Sequence, residues 1–362
     1  MRALGIAREL MDEALEARAL EQLGWTALFA RNALTATDLA AQSTKLAEDA
    51  AAAPAAPRSA FLLLGRVRHW DGDYDGATNA YAQVIAERPD DEIAAQALTF
   101  RGAVLQHIDR FGEARRILTE AIVLCRSNGL FRPLLQALFF TALSLGDTGD
   151  FSRALRHLQR ARRLIDDNSI TYYRAGIDTT TSWLLRETGH LAEARDVADR
   201  AVEEAERGGG ALELEQGLHA VLAVAECELS GGRFDDAGAR VESALPFLNQ
   251  PLPYKARARM RLLEMQARFD PARAEDLLGL ARRHSSPKYQ ALAMWHLGSL
   301  DEAARIAREV RSDQLLAQVG TPDEAWAAIT RLAALLPRED QERFMTVGRL
   351  PEQWRERTGR VG

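Results

Sequence analysis

The feature that most constrains this chain is a turn followed by a helix start, repeated at nearly constant spacing. It first stands clear at Gly72-Asp73-Tyr74-Asp75-Gly76-Ala77-Thr78-Asn79-Ala80-Tyr81. The residue just after each turn is Tyr74, Phe111, Phe151, Leu191, Phe234 or Leu300. Three residues on stands an Ala every time: Ala77, Ala114, Ala154, Ala194, Ala237 and Ala303. Four past the Ala come Tyr81, Leu118, Leu158, Ala198, Val241 and Ala307, and three further Val84, Ala121, Ala161, Ala201, Ala244 and Val310. This i, i+4, i+7 spacing is one stripe of an α-helix, called helix B below.

Nine residues before each marker stand Gly65, Gly102, Ala142, Ser182, Ala225 and Ala291, all small, on preceding apolar segments that read as helix A. Small residues at matched points of two helices let the backbones approach to the low end of the ~8–10 Å interaxial range. Each unit is therefore an antiparallel pair with a tight connection. From Tyr74 to Phe234 the markers are 37, 40, 40 and 43 residues apart, a period that belongs to helical solenoids. A degenerate unit keeps Ala274, Leu278 and Ala281 on the stripe with Pro271 at the marker position.

On these residues the segment Arg58–Asp91 resembles a tetratricopeptide (TPR) repeat of full length, with Gly65, Gly72, Tyr74, Ala77, Tyr81 and Pro89 at the motif positions. Later units are similar to longer, looser TPR-type repeats, and the resemblance runs from about Arg58 to Arg311. Arg68, Arg101 and Asp178 depart from it, standing where the family places apolar or aromatic residues. The resemblance implies an all-α, right-handed superhelical solenoid of TPR-like helix pairs with its inner surface lined by helix A. The extended repeats are also similar to the sensor arms of large bacterial regulators, signal-transduction ATPases and MalT-like transcription factors. Neither a nucleotide-binding module nor a helix-turn-helix is visible here, so that likeness implies the sensor part alone.

A chain of 362 residues exceeds one ordinary globular core, a limit that a solenoid avoids because each repeat packs on its neighbours. Stacked pairs predict a body several tens of Å longer than a compact globule, and the sequence does not fix whether the superhelix closes. Residues 1–57 read as helices carrying one eroded repeat, with Leu28, Leu34, Leu39 and Leu46 on it, then the Ala/Pro linker Ala50–Pro57. The chain starts inside a helical pattern, as a piece of a longer protein would. The array covers 58–311, in units 58–91, 92–129, 131–168, 170–208, 211–249, 253–284 and 287–311. Ser285-Ser286-Pro287 opens the last with an N-cap and a first-turn Pro. Residues 312–362 read as C-terminal capping helices, with a capping box at Thr321-Pro322-Asp323-Glu324 and a frayed end past Leu350.

The net charge of −6 gives no global basic field to recruit nucleic acid. Cys125 and Cys227 fall on different units, so a reducing compartment is expected. The start of the chain has no secretory signal, and the longest apolar run, near Ala137–Leu145, is too short to span a bilayer. Cytoplasm is the expected location and no membrane is expected among the partners. The sequence has no Gly-Lys pair of a P-loop, no HExxH and no CxxC, so no catalytic residue, cofactor or metal is expected.

Two irregularities stand out. Arg153, Arg156, His157, Arg160 and Arg163 make a basic stripe on helix B of the third unit, which reads first as a solvated convex face beside Asp166 and Asp167 and second as a patch for a phosphate or an acidic partner. Helix A of the fourth unit contains Thr179-Thr180-Thr181, which costs a few tenths of a kcal/mol per residue, roughly, against the Ala and Leu used elsewhere. Local rules broken at one place mark a candidate site. Placed on the TPR pattern, Thr179, Trp183, Arg186 and Glu187 face inward, joined by Phe139, His219, Leu222 and Glu226 of neighbouring units. An aromatic floor with charges of both signs suits an extended peptide or a partner helix on the concave face. Arg66, His69 and Trp70 of the first unit are a second candidate. The alternative is a small-molecule site, which the solenoid would enclose with both walls.

Overall fold

The computed structural model describes residues 2–29, 33–49, 58–170, 172–208, 211–250 and 252–359. All its regular elements there are helices. Ahead of the array lie α1 (Arg2–Glu9), α2 (Glu13–Phe29) and α3 (Ala33–Asp49). The expected linker 50–57 and the side chain of Leu34 lie outside the described residues. The pairs follow: α4 (Arg58–Asp71) with α5 (Tyr74–Glu87), α6 (Glu92–His107) with α7 (Phe111–Ser127), and α8 (Phe131–Thr148) with α9 (Phe151–Asp167). Next come α10 (Arg174–Glu187) with α11 (Leu191–Arg207), and α12 (Ala211–Ser230) with α13 (Phe234–Ser243). Then follow α14 (Lys255–Ala267) with α15 (Arg273–Arg283) and α16 (Pro287–His296) with α17 (Leu300–Val310). The fold is an all-α, right-handed superhelical solenoid of TPR-like antiparallel pairs.

Each of the six marker residues is the first residue of its helix B. Two positions earlier the backbone turns through positive φ in all six: Gly72 (84°), Asp109 (62°), Gly149 (95°), Gly189 (85°), Gly232 (74°) and Gly298 (78°). Glycine suits that conformation because it has no Cβ, so the aspartate among them is an exception. The six stripe alanines are fully buried. At Gly65 and Gly102 the pair is so close that an added Cβ would meet Tyr81 at 2.3 Å and Leu118 at 2.5 Å. Ser182 uses the same proximity to donate to the Ala194 carbonyl at 2.7 Å.

Two of the three departures from the TPR pattern are absorbed by ion pairs and partial exposure, while Arg101 is half-buried with its Nε unpartnered. Asp178 is buried but accepts from Arg162 at 3.1 Å and from Arg200 at 2.7 Å. Arg68 is half-buried and donates to the Gly76 carbonyl at 3.2 Å.

The tail is more ordered than its sequence implied. An eighth pair, α18 (Asp313–Val319) and α19 (Pro322–Ala334), is followed by α20 (Arg338–Val347) and α21 (Arg349–Thr358). The capping box at Thr321 and Glu324 is formed. Past Leu350 the described chain is helical to Thr358 rather than frayed. Trp354 packs on Trp326 with ring centroids 4.4 Å apart and donates to the Pro322 carbonyl at 2.7 Å.

The body is not open and elongated. The superhelix closes on itself, and the late units pack against the early ones. Arg66 on α4 donates to the Tyr254 hydroxyl at 2.7 Å and lies 4.1 Å from the Phe100 ring centroid. The His69 and His107 rings share a hydrogen bond of 2.9 Å, and His69 lies 4.7 Å from the Tyr254 ring. Arg257 on α14 donates to the His107 carbonyl at 2.9 Å. Ser312, before α18, donates to the Asp147 carbonyl on α8. The exposed area of 16,191 Å² for 40.0 kDa is only about an eighth above the roughly 14,400 Å² of a globular monomer. No helix among the described residues is long and apolar enough to cross a membrane.

Candidate functional site

Closing the ring encloses a cavity of about 180 Å³ against the inner face. Its wall comes from the A helices of successive units, α6, α8, α10, α12, α14, α16 and α18, with Arg349 of α21 entering from the tail. Helix B contributes nothing, because its apolar stripe is used in the seams between helices. Phe139, Thr179, Trp183, Arg186, Glu187, His219 and Glu226 all lie on this wall.

Leu222 does not. It is fully buried in a core cluster with Leu218, Ala225, Val241 and Leu262. On one helix face His219 and Glu226, seven apart, point to the cavity, while the position between them turns toward the seam. Arg66, His69 and Trp70 are also absent from the wall. They are buried in the closure between the first and sixth units, so the second candidate is a clasp and not an open groove.

The cavity carries charge of both signs. Arg186, Arg257, Arg261, Arg268, Lys288 and Arg349 face Asp147, Glu187, Glu215, Glu226 and Glu264. Glu187 is fully buried, and its Oε1 accepts from Arg349 Nε at 2.7 Å, Trp183 Nε1 at 3.1 Å and Arg186 Nη2 at 3.3 Å. Arg186 also meets Glu226 at 3.2 Å, which Arg261 approaches at 3.5 Å. Burial would raise the Glu226 pKa, but Arg186 and Arg261 outweigh it and hold the carboxyl below its usual range. Burial opposes charge at Glu264 too, and Arg268 with His296 outweighs it, leaving its pKa far down. Arg261 Nη1 donates to His219 Nδ1 at 3.1 Å, and His219 Nε2 lies 2.7 Å from Glu215.

Lys288 ties the cavity to the closure. Its Nζ pairs with Asp147 and lies 5.6 Å from the Trp183 ring centroid. Its pKa is raised, since burial is outweighed by the Asp147 charge. Its backbone N–H donates to Asp109 Oδ2 at 2.8 Å.

Four side-chain amides share the wall: Gln106, Gln216, Gln314 and Gln318. Gln216 accepts from the Gly176 N–H at 3.0 Å, and Gln106 donates to Asp147 at 2.9 Å. Three buried acceptors of wall residues, Gln106 Oε1, Thr179 Oγ1 and Glu187 Oε2, have no protein partner. Two aromatic wall residues, Tyr173 and Tyr254, start α10 and α14 with φ of 71° and 54°. A non-glycine residue held there costs about 1 kcal/mol or more, and such strain clusters at functional sites. Of the threonine run, Thr180 donates to the Gly176 carbonyl at 2.8 Å within its own helix.

Sequence reasoning missed Asp109, Asp147, Tyr254, Arg257, Lys288 and Arg349. Asp109 had a signal, because the equivalent turn position is Gly in the other five units. So had α14, where Arg257 and Arg261 stand one turn apart and Arg268 follows at the C-cap.

No family model matches this chain. No curated protein matches it either. Among solved structures it is similar to a Rap protein complexed with competence and sporulation factor, at 16% identity and a TM-score of 0.63, over 95% of this chain and 99% of that one. The Pseudomonas aeruginosa protein PilF is 18% identical, with a TM-score of 0.45 over 64% of this chain and 90% of that one. The apo form of RapI is 12% identical, with a TM-score of 0.42 over 83% and 98%. At such identities the likeness concerns the fold, and that fold is TPR-like.

Proposed function

We propose that this chain is a non-catalytic TPR-like scaffold or sensor that takes a short peptide segment into the cavity on its helix-A face. The observation that carries the reading is the wall itself: paired charges of both signs, aromatic rings and four side-chain amides, drawn from seven successive A helices. A peptide offers amide donors and acceptors that carboxamides match, and charged ends or side chains that the ion pairs can exchange with. A water needs about 10–15 Å³ on this measure, so 180 Å³ corresponds to roughly a dozen water sites and limits the buried part to a few residues. The likeness to a Rap protein complexed with competence and sporulation factor supports the idea that a ring of this fold accommodates a ligand.

The second reading, a small-molecule-sensing regulatory solenoid of a larger bacterial signalling ATPase or transcription regulator, is favoured by one observation. The lining residues come from early and late units alike, from α6 to α18, which supports a ligand held between facing walls. One experiment separates the two. The chain is melted in the presence of pooled random tetra- to hexapeptides and, separately, of pooled polar metabolites. A ligand at a hundred times its Kd raises stability by about 2.7 kcal/mol. A shift with peptides alone, lost in Trp183→Ala, is the expected result. A shift with metabolites alone moves the conclusion to the second reading.

A further inference from the structure

We propose that the outer face of α9 is a docking surface for an acidic helix of a partner protein. The inference is independent of the cavity. Arg153, Arg156, Arg160 and Arg163 are all exposed on one stripe at i, i+3, i+7 and i+10, spanning about 15 Å of helix. Arg153 is held by Asp150 at 3.3 Å. Among the described residues the side chains of Arg156, Arg160 and Arg163 make no ion pair or hydrogen bond, and neither does that of Arg126 at the end of α7.

Two other B helices, α11 and α17, differ from it. On α11 every arginine has an acid, Arg195 with Asp199, Arg200 with Asp178 and Arg207 with Glu203. On α17 Arg305 has Glu302 and Arg308 has Glu324. The α9 stripe is a local positive surface on a molecule whose net charge is −6. His157, at its centre, reports the same field. Its pKa is lowered to about 4 by burial and by Arg160, Arg153, Arg156 and Arg126.

Charge complementarity selects the occupant. Guanidinium groups pair bidentately with carboxylates. A helix laid along α9 with acids at the same pitch meets each arginine in turn. A long polyanion such as nucleic acid is repelled by the rest of the molecule, and a short acidic helix feels only charges within a Debye length, about 10 Å.

The test uses the full chain and a labelled, end-capped, helix-forming peptide with Glu at i, i+3, i+7 and i+10 in an Ala/Gln background. The control carries Gln at those positions, and a labelled oligo-thymidine is the rival probe. Anisotropy should show the Glu peptide binding at low salt and the Gln peptide not. Arg156→Glu with Arg160→Glu should weaken binding by roughly tenfold or more, as should raising the salt to where screening falls well below 10 Å. If that pair fails to fold by its melting curve, Arg156→Gln with Arg160→Gln serves the same comparison. Equal binding of the two peptides, binding unchanged in the variant, or tighter binding of oligo-thymidine would each overturn the proposal.

Discussion

Asp109 caps a distant helix: its Oδ2 accepts from Ser286 Oγ, 177 residues away, and from the Lys288 backbone N–H, each at 2.8 Å. Ser286 is the N-cap residue of α16, yet its side chain makes no bond to its own helix. The carboxylate of the second unit does the capping in trans, where the N-terminal end of a helix dipole favours negative charge. The same residue occupies a left-handed turn that the other units give to glycine. A residue strained in its own turn thus closes the ring.

Asp109→Gly tests this without ambiguity about the turn. Glycine fits the 62° φ, so backbone strain falls, while both acceptor contacts vanish. Hydrogen bonds to a charged group contribute about 1.5–3 kcal/mol each. The variant should melt earlier, and small-angle scattering should show a larger radius of gyration as the late units swing away. An unchanged radius would mean that the other cross-ring contacts suffice.

Gly102→Ala probes the seam between α6 and α7. The new Cβ would stand 2.5 Å from Leu118, itself fully buried. Overpacking of this kind costs roughly 1–3 kcal/mol. A melting curve like that of the parent would show that the seam can spread. Gly112→Ala, whose Cβ would meet nothing within 4 Å, is the matched control.

These two cases show how much the sequence disclosed. The seam was legible because a fixed stripe of Ala and a matched small residue recur in register, and local periodicity survives folding. The inner face of helix A was legible for the same reason, which is how Trp183, Arg186 and Glu187 could be placed together. Closure was not legible. It depends on contacts such as Arg66 with Tyr254 and Lys288 with Asp147, between residues more than a hundred apart. A nearest-neighbour stacking rule says nothing about whether the ends of a superhelix meet. Hence the first unit's Arg66, His69 and Trp70, polar and aromatic on an inner face, read as a groove when they are a clasp.

The clasp should respond to pH. Burial pushes His69 and His107 well below the ordinary histidine pKa, helped by Arg66 and Arg257. Both are therefore neutral in the fold and more basic when unfolded. A depressed folded pKa means that the stability is complete above about pH 6.5 and is lost as pH falls through the folded value. The loss is about 1.4 kcal/mol per pH unit for each histidine. His157, lowered to about 4, adds to the slope over the same window. Melting temperature should fall from pH 7 to 5, less steeply in His157→Gln and with a rising radius of gyration. A flat profile across that range would contradict the buried neutral pair.

The last prediction separates anchor from mortar on α10. Trp183 is half-buried, its ring lies against the position of Gly146, and its Nε1 donates to Glu187. Arg186 is buried, with 4% of its side chain exposed, between Glu187 and Glu226. Removing Arg186 strips both carboxylates of a partner in a low-dielectric wall, and breaking a buried pair costs about 3–5 kcal/mol. Arg261 and Arg349 remain on the two acids and should hold the loss near the lower end. Trp183→Ala deletes apolar surface that is already partly wet, so its cost should fall below the ~3–5 kcal/mol of a core tryptophan. Arg186→Ala should therefore melt clearly earlier than Trp183→Ala. In a peptide-binding assay the order should reverse, because aromatic anchors in desolvated pockets lose about 2 kcal/mol or more of binding on truncation. A Trp183→Ala protein that melts earlier than Arg186→Ala, yet binds as the parent does, would show that the ring is packing alone.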